Sequence, residues 1–461
     1  MAITDIEEPL APRPMTSGAT MGAASRISVA VTGALATIII ARILGPSGSG
    51  GFAVAMTIVY VLIVLTTFGV EHGVAYYVSG GVWGARHAFK VVNEFAPIVG
   101  VLGAALGILA RLLFPGPFGN LSVLECALAA AALPFALAWF YGSFVALADD
   151  HYEGFVLAPA VQSATVLLFV VALAIPFGLI GAIVALLLSH IVAAAVTFFW
   201  GRHRLSNRQD GEQQPGQLRR ALRFGVKGYA GNALQVLNYR VDVFILSAVT
   251  AASVVGYYSV AVGVTTVLWL LPQSLSDVLF PRVAALSASE HRDAEHQRDF
   301  VEMKSLRHAT IIVTVGALVL ALASIFLIVP IYGAGFKEAI PISLIRLPGV
   351  ALIGIGAILS SIIVGRGRPE YGLYSALIST PITMALYFIL IPRFDAQGAA
   401  VATTISFTLN FVLAAFFYHR ITGRNVLALM IPTRSEFDDY RLLWPQVRRW
   451  GAIQMKRITS R

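Results

Sequence analysis

The chain has 461 residues, of which 57% are hydrophobic and only 12% are charged, and its formal net charge is +9. Soluble globular domains carry charges at about 25% of positions, so this composition excludes an ordinary water-soluble protein. The positive charge does not indicate nucleic acid, because basic residues are spread between apolar segments. The single cysteine, Cys126, excludes an intrachain disulfide and a cysteine-based metal cluster. We predict no cofactor and no metal.

Apolar stretches of about 20 residues, the length that crosses a bilayer, recur along the whole chain. We predict twelve such spans, at 22–41, 50–71, 92–113, 121–146, 155–176, 179–200, 224–248, 255–279, 308–330, 341–364, 371–391 and 397–418. The third, seventh and eighth are the least regular, because charged residues interrupt or border them. The fold class is therefore an all-α integral membrane protein with about 12 transmembrane helices.

The loops between spans alternate in charge, which orients the chain in the membrane. Arginines crowd the segments after the sixth and eighth spans, and the positive-inside rule places these loops in the cytoplasm. Both termini are then cytoplasmic, in a multi-pass protein of the inner membrane. We predict a cytoplasmic tail at 1–20, an N-lobe at 21–200, a linker at 201–220, a C-lobe at 221–420 and a basic tail at 421–461. That basic tail suits either an interfacial helix on anionic lipid or a disordered segment.

The two halves share short motifs, which indicates a six-plus-six duplication. Gly50 at the start of the second span matches Gly256 near the eighth, and Gly181 at the start of the sixth matches Gly398 at the twelfth. Repeats of this kind place a substrate path at their interface near mid-membrane, which favours a transporter. The alternative is that small residues recur simply because they let helices approach closely.

Ionisable residues at membrane depth are the candidate site, since charge is costly there and normally faces a cavity or a partner. Arg26 lies in the first span, and Arg240 and Asp242 lie in the seventh, so the three are expected to line one cavity. Arg240 and Asp242 are two residues apart and do not face each other on a helix; Asp242 then pairs with Lys227 or Arg26. The alternative for Arg240 and Asp242 is an interhelical ion pair that only fixes packing.

Two further residues complete the substrate and ion-coupling candidates. Arg346 lies in the tenth span beside a Pro-Gly pair and is predicted to line the outward half of the path. Glu71 is predicted either to couple transport to an ion or to be a carboxylate at the membrane interface, and Asp242 is a second candidate for ion coupling. Arginine matches phosphate oxygens in a bidentate way, so this set favours a substrate with a phosphate or pyrophosphate group.

Catalytic motifs are missing from the sequence. It contains no P-loop, no HExxH and no GxSxG sequence. We therefore predict a transporter that is neither an enzyme nor its own ATPase.

Several segments resemble the oligosaccharide flippases, the polysaccharide transporters of the Wzx type. They are Ala41 to Pro46 with Gly50, Phe52 and Ala53, then Phe68 to Glu71, Leu237 to Asp242, Gly256 to Tyr258, Leu347 to Gly349 and Gly365 to Pro369. The resemblance implies the fold of the multidrug and oligosaccharidyl-lipid exporter superfamily, with two six-helix lobes around a central cavity and alternating access. It also implies a polyprenyl-pyrophosphate-linked oligosaccharide as substrate, with a polysaccharide polymerase and export complex as partners.

Under that resemblance, Arg26, Arg240 and Arg346 are expected to meet pyrophosphate or acidic sugars. A cation-coupled small-molecule exporter of the same superfamily is the alternative. The excess of arginine in the expected cavity disfavours a cationic cargo. A membrane-embedded glycosyltransferase or polymerase would need catalytic carboxylates or large outer loops, and the sequence contains neither.

Overall fold

A computed structural model describes residues 15–205, 216–238, 240–289, 293–434 and Glu436. Residues 1–14, half of the predicted linker (206–215) and residues 437–461 of the predicted basic tail lie outside the described residues. The first helix already begins at Met15, inside the predicted tail at 1–20. By packing, the chain divides into a first unit, Met1–Gly256, and a second unit, Tyr257–Arg461. This division groups residues 221–256 with the first half, whereas the lobes at 21–200 and 221–420 remain a prediction.

The described residues form fourteen α-helices joined by short turns. In the first unit these are α1 Met15–Thr67, α2 Val70–Ser79, α3 Ala85–Leu113, α4 Val123–Ala130, α5 Leu133–Ala148, α6 Tyr152–Arg204, α7 Gln217–Asn238 and α8 Val241–Val249. Helix α9, Ala252–Thr266, runs across the division. The second unit continues with α10 Leu270–Ala288, α11 Ala294–Tyr332, α12 Ala339–Gly365, α13 Glu370–Thr422 and α14 Val426–Leu429.

The three longest helices, α1, α6 and α13, are each broken by one residue with positive φ. These residues are Gly45 with φ 64°, Gly178 with φ 59° and Asp395 with φ 49°. A continuous helix of 53 residues would be about 80 Å long, far more than one crossing of a bilayer needs. Each of the three therefore consists of two arms, and each arm is long enough to cross a membrane.

The breaks in α6 and α13 have the same geometry, as the duplication predicts. A Cβ added at Gly181 would lie 1.9 Å from the carbonyl oxygen of Leu173, and one added at Gly398 would lie 2.1 Å from that of Leu390. A residue can meet the carbonyl eight positions earlier only if the chain folds back on itself. Glycine is required at both positions because the arms touch through their backbones. The matched motifs thus form matched helical hairpins.

Eight described helical segments are long and apolar enough to cross a membrane. Three of them carry the breaks in α1, α6 and α13 and therefore supply two crossings each. With α7 and α8, which cover the seventh predicted span, the described helices account for the twelve predicted spans. The all-helical membrane fold is confirmed.

Some predicted spans are not continuous helices. The second, predicted at 50–71, ends at Thr67, because Phe68 and Gly69 both adopt positive φ before α2 begins. The fourth is divided between α4 and α5, and the seventh is interrupted at Arg240, where the backbone leaves helical geometry. These breaks determine where the candidate residues lie.

Helix α3 illustrates how the chain sorts its side chains in a membrane. Its buried face carries small residues such as Ala96, Gly100 and Gly103, whereas Leu102 and Leu106 are exposed. Lipid tails are as apolar as leucine, so leucine gains nothing by turning inward, and small residues let helix backbones approach.

Candidate functional site

Arg240 lies at the break between α7 and α8, immediately before the first residue of α8. Its guanidinium carbon lies 4.9 Å from the ring centroid of Tyr60, on the second arm of α1, which is a cation–π contact. Arg240 is partly buried, and the Tyr60 side chain is 42% exposed. Among the residues whose side chains are described, no carboxylate forms an ion pair with Arg240. Its N–H donors are therefore open to an anionic ligand.

Asp242 lies in the first turn of α8 and is buried. Its Oδ1 accepts a hydrogen bond from the backbone N–H of Val243 at 2.8 Å, so part of its charge is stabilised by the start of the helix. Lys227 lies in α7 and Arg26 in α1, but their side chains lie outside the described residues. The pairing of Asp242 with Lys227 or Arg26 therefore remains a prediction.

Arg346 lies in α12 and is 5% exposed, so its guanidinium is buried in the second unit. Its Nη1 donates to the hydroxyl of Tyr258 at 2.7 Å and to that of Thr403 at 3.3 Å, and its Nε donates to Thr265 at 3.4 Å. The guanidinium also lies 5.2 Å from the centroid of the Tyr258 ring. Tyr387 extends the set through a 3.2 Å hydrogen bond to Thr403. Hydroxyl groups thus solvate this buried cation.

Glu71 lies in the first turn of α2 and is 4% exposed. Its Oε1 is 3.9 Å from Nε2 of His72, and its Oε2 is buried without a hydrogen-bond partner in the described part of the chain. The phenol groups of Tyr141 and Tyr229 are near enough to interact with its charge. A carboxylate this deeply buried differs from the solvated interfacial group that one of the two sequence interpretations describes. The burial favours the ion-coupling interpretation.

A cavity of about 240 Å³ lies in the first unit, beside the break in α1. It is lined mainly by apolar and glycine residues, with Ser47, Asn120, Ser247 and Thr250 as its polar groups. None of the candidate charged residues whose side chains are described contributes to its lining. The described lining of this cavity therefore holds no cationic group for an anionic substrate.

Several residues near the candidate site were not found by sequence reasoning. No local signal pairs Tyr60 with Arg240, because a cation–π contact depends on the fold. The hydroxyls around Arg346 come from α9 and α13, far from it in sequence. The close approach of α2 and α7 does have a sequence signal, the small-xxx-small pattern of packed membrane helices. It occurs at Gly69 and Gly73 and again at Ala221 and Gly225.

The described fold is similar to that of solved transporters. The lipid II flippase MurJ in an inward closed conformation matches with a TM-score of 0.71 and 15% identity, over 88% of this chain and 89% of that one. An inward-facing multidrug resistance transporter of the MATE family matches with a TM-score of 0.68 and 16% identity, over 88% and 98% of the two chains. The class of protein is therefore a polytopic helical membrane protein with the fold of the multidrug and oligosaccharidyl-lipid exporter superfamily.

Sequence comparison identifies the family. A polysaccharide biosynthesis protein family matches residues 39–341. The chain is 25% identical to the probable low-salt glycan biosynthesis flippase of Haloferax volcanii over 235 residues, which are 50% of this chain and 48% of that protein. It is 24% identical over 200 residues to an uncharacterised membrane protein of Methanocaldococcus jannaschii, across 43% and 38% of the two chains. The chain thus aligns with about half or less of these relatives, and it belongs to the polysaccharide biosynthesis protein family.

Proposed function

We propose that this protein is a flippase that moves a polyprenyl-pyrophosphate-linked oligosaccharide across the cytoplasmic membrane by alternating access. The observation that carries the proposal is Arg240, a partly buried guanidinium without a carboxylate partner among the described residues, held over the Tyr60 ring. A guanidinium that lacks a carboxylate partner can form an ion pair with an anionic group of a substrate that enters the path. Pyrophosphate has the charge and the oxygen geometry that arginine binds best. The family and the similarity to a glycan flippase support this substrate class.

The remaining candidates have subsidiary roles in this proposal. Arg26 and Lys227 add positive charge along the substrate path, and Arg346 serves its outward half. Asp242 and Glu71 couple transport to an ion. The flipped oligosaccharide is then used by a polymerase and an export complex, and both termini of the transporter are cytoplasmic.

The test is deletion of the gene followed by complementation. The proposal expects loss of surface polysaccharide together with accumulation of lipid-linked oligosaccharide in the inner leaflet, and the wild-type gene should reverse both. Arg240→Ala should fail to complement, while Arg282→Ala, a change at an exposed arginine of α10, should complement fully. Unchanged polysaccharide in the deletion strain would contradict the proposal.

A second candidate function is cation-coupled export of small molecules. The observation that favours it is the buried Glu71, whose Oε2 has no hydrogen-bond partner in the described part of the chain. Efflux of cationic dyes from cells, abolished by Glu71→Gln, would support this function. If dye efflux is absent while polysaccharide export depends on the gene, the flippase is the function that remains.

A further inference from the structure

In the second arm of α1, the segment from Gly50 to Thr67 lies between two places of direct backbone contact. At one end, a Cβ added at Gly50 would lie 1.8 Å from the carbonyl oxygen of Ala252, and one added at Gly256 would lie 2.0 Å from that of Pro46. We call this contact the outer seam, because the predicted topology places it at the outer face. Contacts this short leave no room for any side chain larger than hydrogen.

The other end of the arm leads into α2, which packs against α7 in the same manner. A Cβ at Gly73 would lie 2.1 Å from the carbonyl oxygen of Ala221, and one at Gly225 would lie 1.9 Å from that of Gly69. We call this contact the inner seam. The arm between the two seams is about 27 Å long at 1.5 Å per residue, close to the thickness of the hydrocarbon layer. The seams therefore lie at opposite ends of one membrane crossing.

The two seams share a design. In each, residues four apart on one helix meet residues four apart on another in antiparallel order, as Gly69 and Gly73 meet Gly225 and Ala221. At the outer seam, Gly50 and Gly256 are also the residues that the internal repeat aligns with each other, and they touch. Small residues let the two backbones come into direct contact, so each seam closes tightly.

The inner seam has a backbone break and a buried charge beside it. Phe68 and Gly69 both have positive φ, so the helix is interrupted between the arm and α2. The ring of Tyr76 stacks on that of Phe224 at a centroid distance of 4.3 Å, and the hydroxyl of Tyr229 donates to the carbonyl of Val64. Glu71, with its unpartnered Oε2, lies between Gly69 and Gly73 on α2. Through these contacts α7 packs against both the arm and α2, on either side of the break.

We propose that the two seams are the two gates of the transport path, the outer one formed by Pro46, Gly50, Ala252 and Gly256 and the inner one by Gly69, Gly73, Ala221 and Gly225. This inference rests on the proposed transport function. Both seams are closed in this structure. Transport then requires the inner seam to open while the outer seam stays closed. In the second half of the cycle the outer seam opens while the inner seam stays closed.

The first experiment adds one methyl group to a seam and measures access to the arm between the gates. Met56→Cys, in a Cys126→Ala background, places a reporter thiol at a side chain that is 49% exposed. Gly50→Ala should raise its reaction with an impermeant maleimide several-fold from outside, and Gly225→Ala should do so from the cytoplasmic side in inverted vesicles. The matched controls are Gly33→Ala and Gly263→Ala, where an added Cβ meets nothing within 4 Å. Labelling of the seam variants at the control rate from both sides would overturn the proposal.

The second experiment does not depend on the alanine variants folding. The double variant Tyr76→Cys, Phe224→Cys is made in the Cys126→Ala background. A short, reducible bifunctional thiol reagent then cross-links the two cysteines across the inner seam. Synthesis of new surface polysaccharide should stop when the bridge forms and resume after reduction. If polysaccharide synthesis continues with the bridge in place, the seam is not a gate although the transport function stands. Failure of the wild-type gene to restore polysaccharide would instead contradict the proposed function itself.

Discussion

Among the described residues, two arginines lie over tyrosine rings, and the surroundings of the two differ. Arg346 in the second unit is buried and donates to three hydroxyl groups, on Tyr258, Thr265 and Thr403. Arg240 in the first unit is partly exposed, and its contact within the described residues is the face of Tyr60. A ring face accepts a cation without using its N–H groups. Under the proposed function, this comparison favours Arg240 as the main ligand-binding arginine and leaves Arg346 a subsidiary role.

The largest expected effect is on transport by Arg240→Ala. A charge-assisted hydrogen bond contributes about 1.5–3 kcal/mol, so losing two from a bidentate contact corresponds to a reduction of about a hundredfold or more. Under the proposed function, the rate of oligosaccharide translocation in reconstituted vesicles should fall by that order, while the melting temperature in detergent stays the same. Arg240→Lys should give an intermediate rate, because lysine retains the charge but lacks the planar fork.

This comparison would fail in either of two ways. One is a normal transport rate in Arg240→Ala. The other is a fall in melting temperature as large as the fall in rate, which would make Arg240 a packing residue. Arg282→Ala controls for loss of positive charge at an exposed position.

The second expected effect is on the stability of the second unit. Tyr258→Phe removes the 2.7 Å hydrogen bond of a buried cation and should cost about 1–3 kcal/mol. Arg346→Met removes the cation itself and leaves the hydroxyls of Tyr258 and Thr403, 3.3 Å apart, to bond each other. Replacing a buried charge by an apolar side chain of similar length is often nearly neutral. The melting temperature should therefore fall further in Tyr258→Phe than in Arg346→Met.

Tyr387→Phe is the matched control, because its hydroxyl bonds to Thr403 rather than to the arginine. It should lower the melting temperature less than Tyr258→Phe does. The opposite order, with Arg346→Met as the least stable of the three, would show that the charge itself holds the unit together. A loss of transport in Arg346→Met as large as that in Arg240→Ala, at unchanged stability, would give the two arginines equal roles in binding.

A smaller effect is expected from the ring under Arg240. A cation–π contact at a partly exposed site contributes about 0.5–1 kcal/mol, so Tyr60→Leu should reduce transport by about two- to fivefold. Tyr60→Phe keeps the ring and should transport at nearly the wild-type rate. Equal loss in both variants would show that the hydroxyl, rather than the ring, is what matters at this position.

Hydropathy predicts the membrane spans and identifies the two arginines within them. The sequence does not predict which side chains surround each arginine, because those contacts depend on the fold. Twelve spans can be counted because the bilayer requires apolar segments of fixed length, and Arg240 and Arg346 stand out because charge is costly there. The different surroundings of the two arginines could not be predicted. Tyr60 is 180 residues from Arg240, and aromatic residues are common in this chain. Hydroxyl groups in membrane helices usually bond to their own backbone, so Thr403 gives no sign of a long-range partner.

The sequence predicts breaks only where one apolar span ends and the next begins. The fifth span is predicted to end at 176 and the eleventh at 391, and the structure has a break shortly after each, at Gly178 and at Asp395. Phe68 gave no such signal, because positive φ at a phenylalanine is imposed by its surroundings. The backbone interruption at Arg240 was also missed, and it is the feature that takes this arginine out of a regular helix.

A third arginine, Arg307, forms an ion pair with a carboxylate and so provides a reference for Arg240 and Arg346. Its Nη1 lies 3.1 Å from Oε1 of Glu436, and Oε2 of that carboxylate accepts hydrogen bonds from the backbone N–H and the hydroxyl of Thr433. Burial alone would raise the pKa of Glu436, but the hydrogen bonds from Thr433 and Arg307 outweigh it and lower the pKa to about 2. A carboxylate with a lowered pKa in the folded state contributes stability above its unfolded pKa of 4.5, and this contribution is lost as the pH falls towards 2.

The smallest expected effect is therefore the pH dependence of this pair. The difference in melting temperature between the wild type and Glu436→Gln should be constant from pH 7 to pH 5 and should shrink as the pH falls from about 4.5 towards 2. Subtracting the variant removes the titration of other carboxylates, including Asp299 and Glu302 near Arg366. Arg240→Gln should show no such pH-dependent difference from the wild type over this range, because no carboxylate among the described residues pairs with Arg240. If it does, Arg240 has an acidic partner in the folded protein and is not the open cation on which the substrate assignment depends.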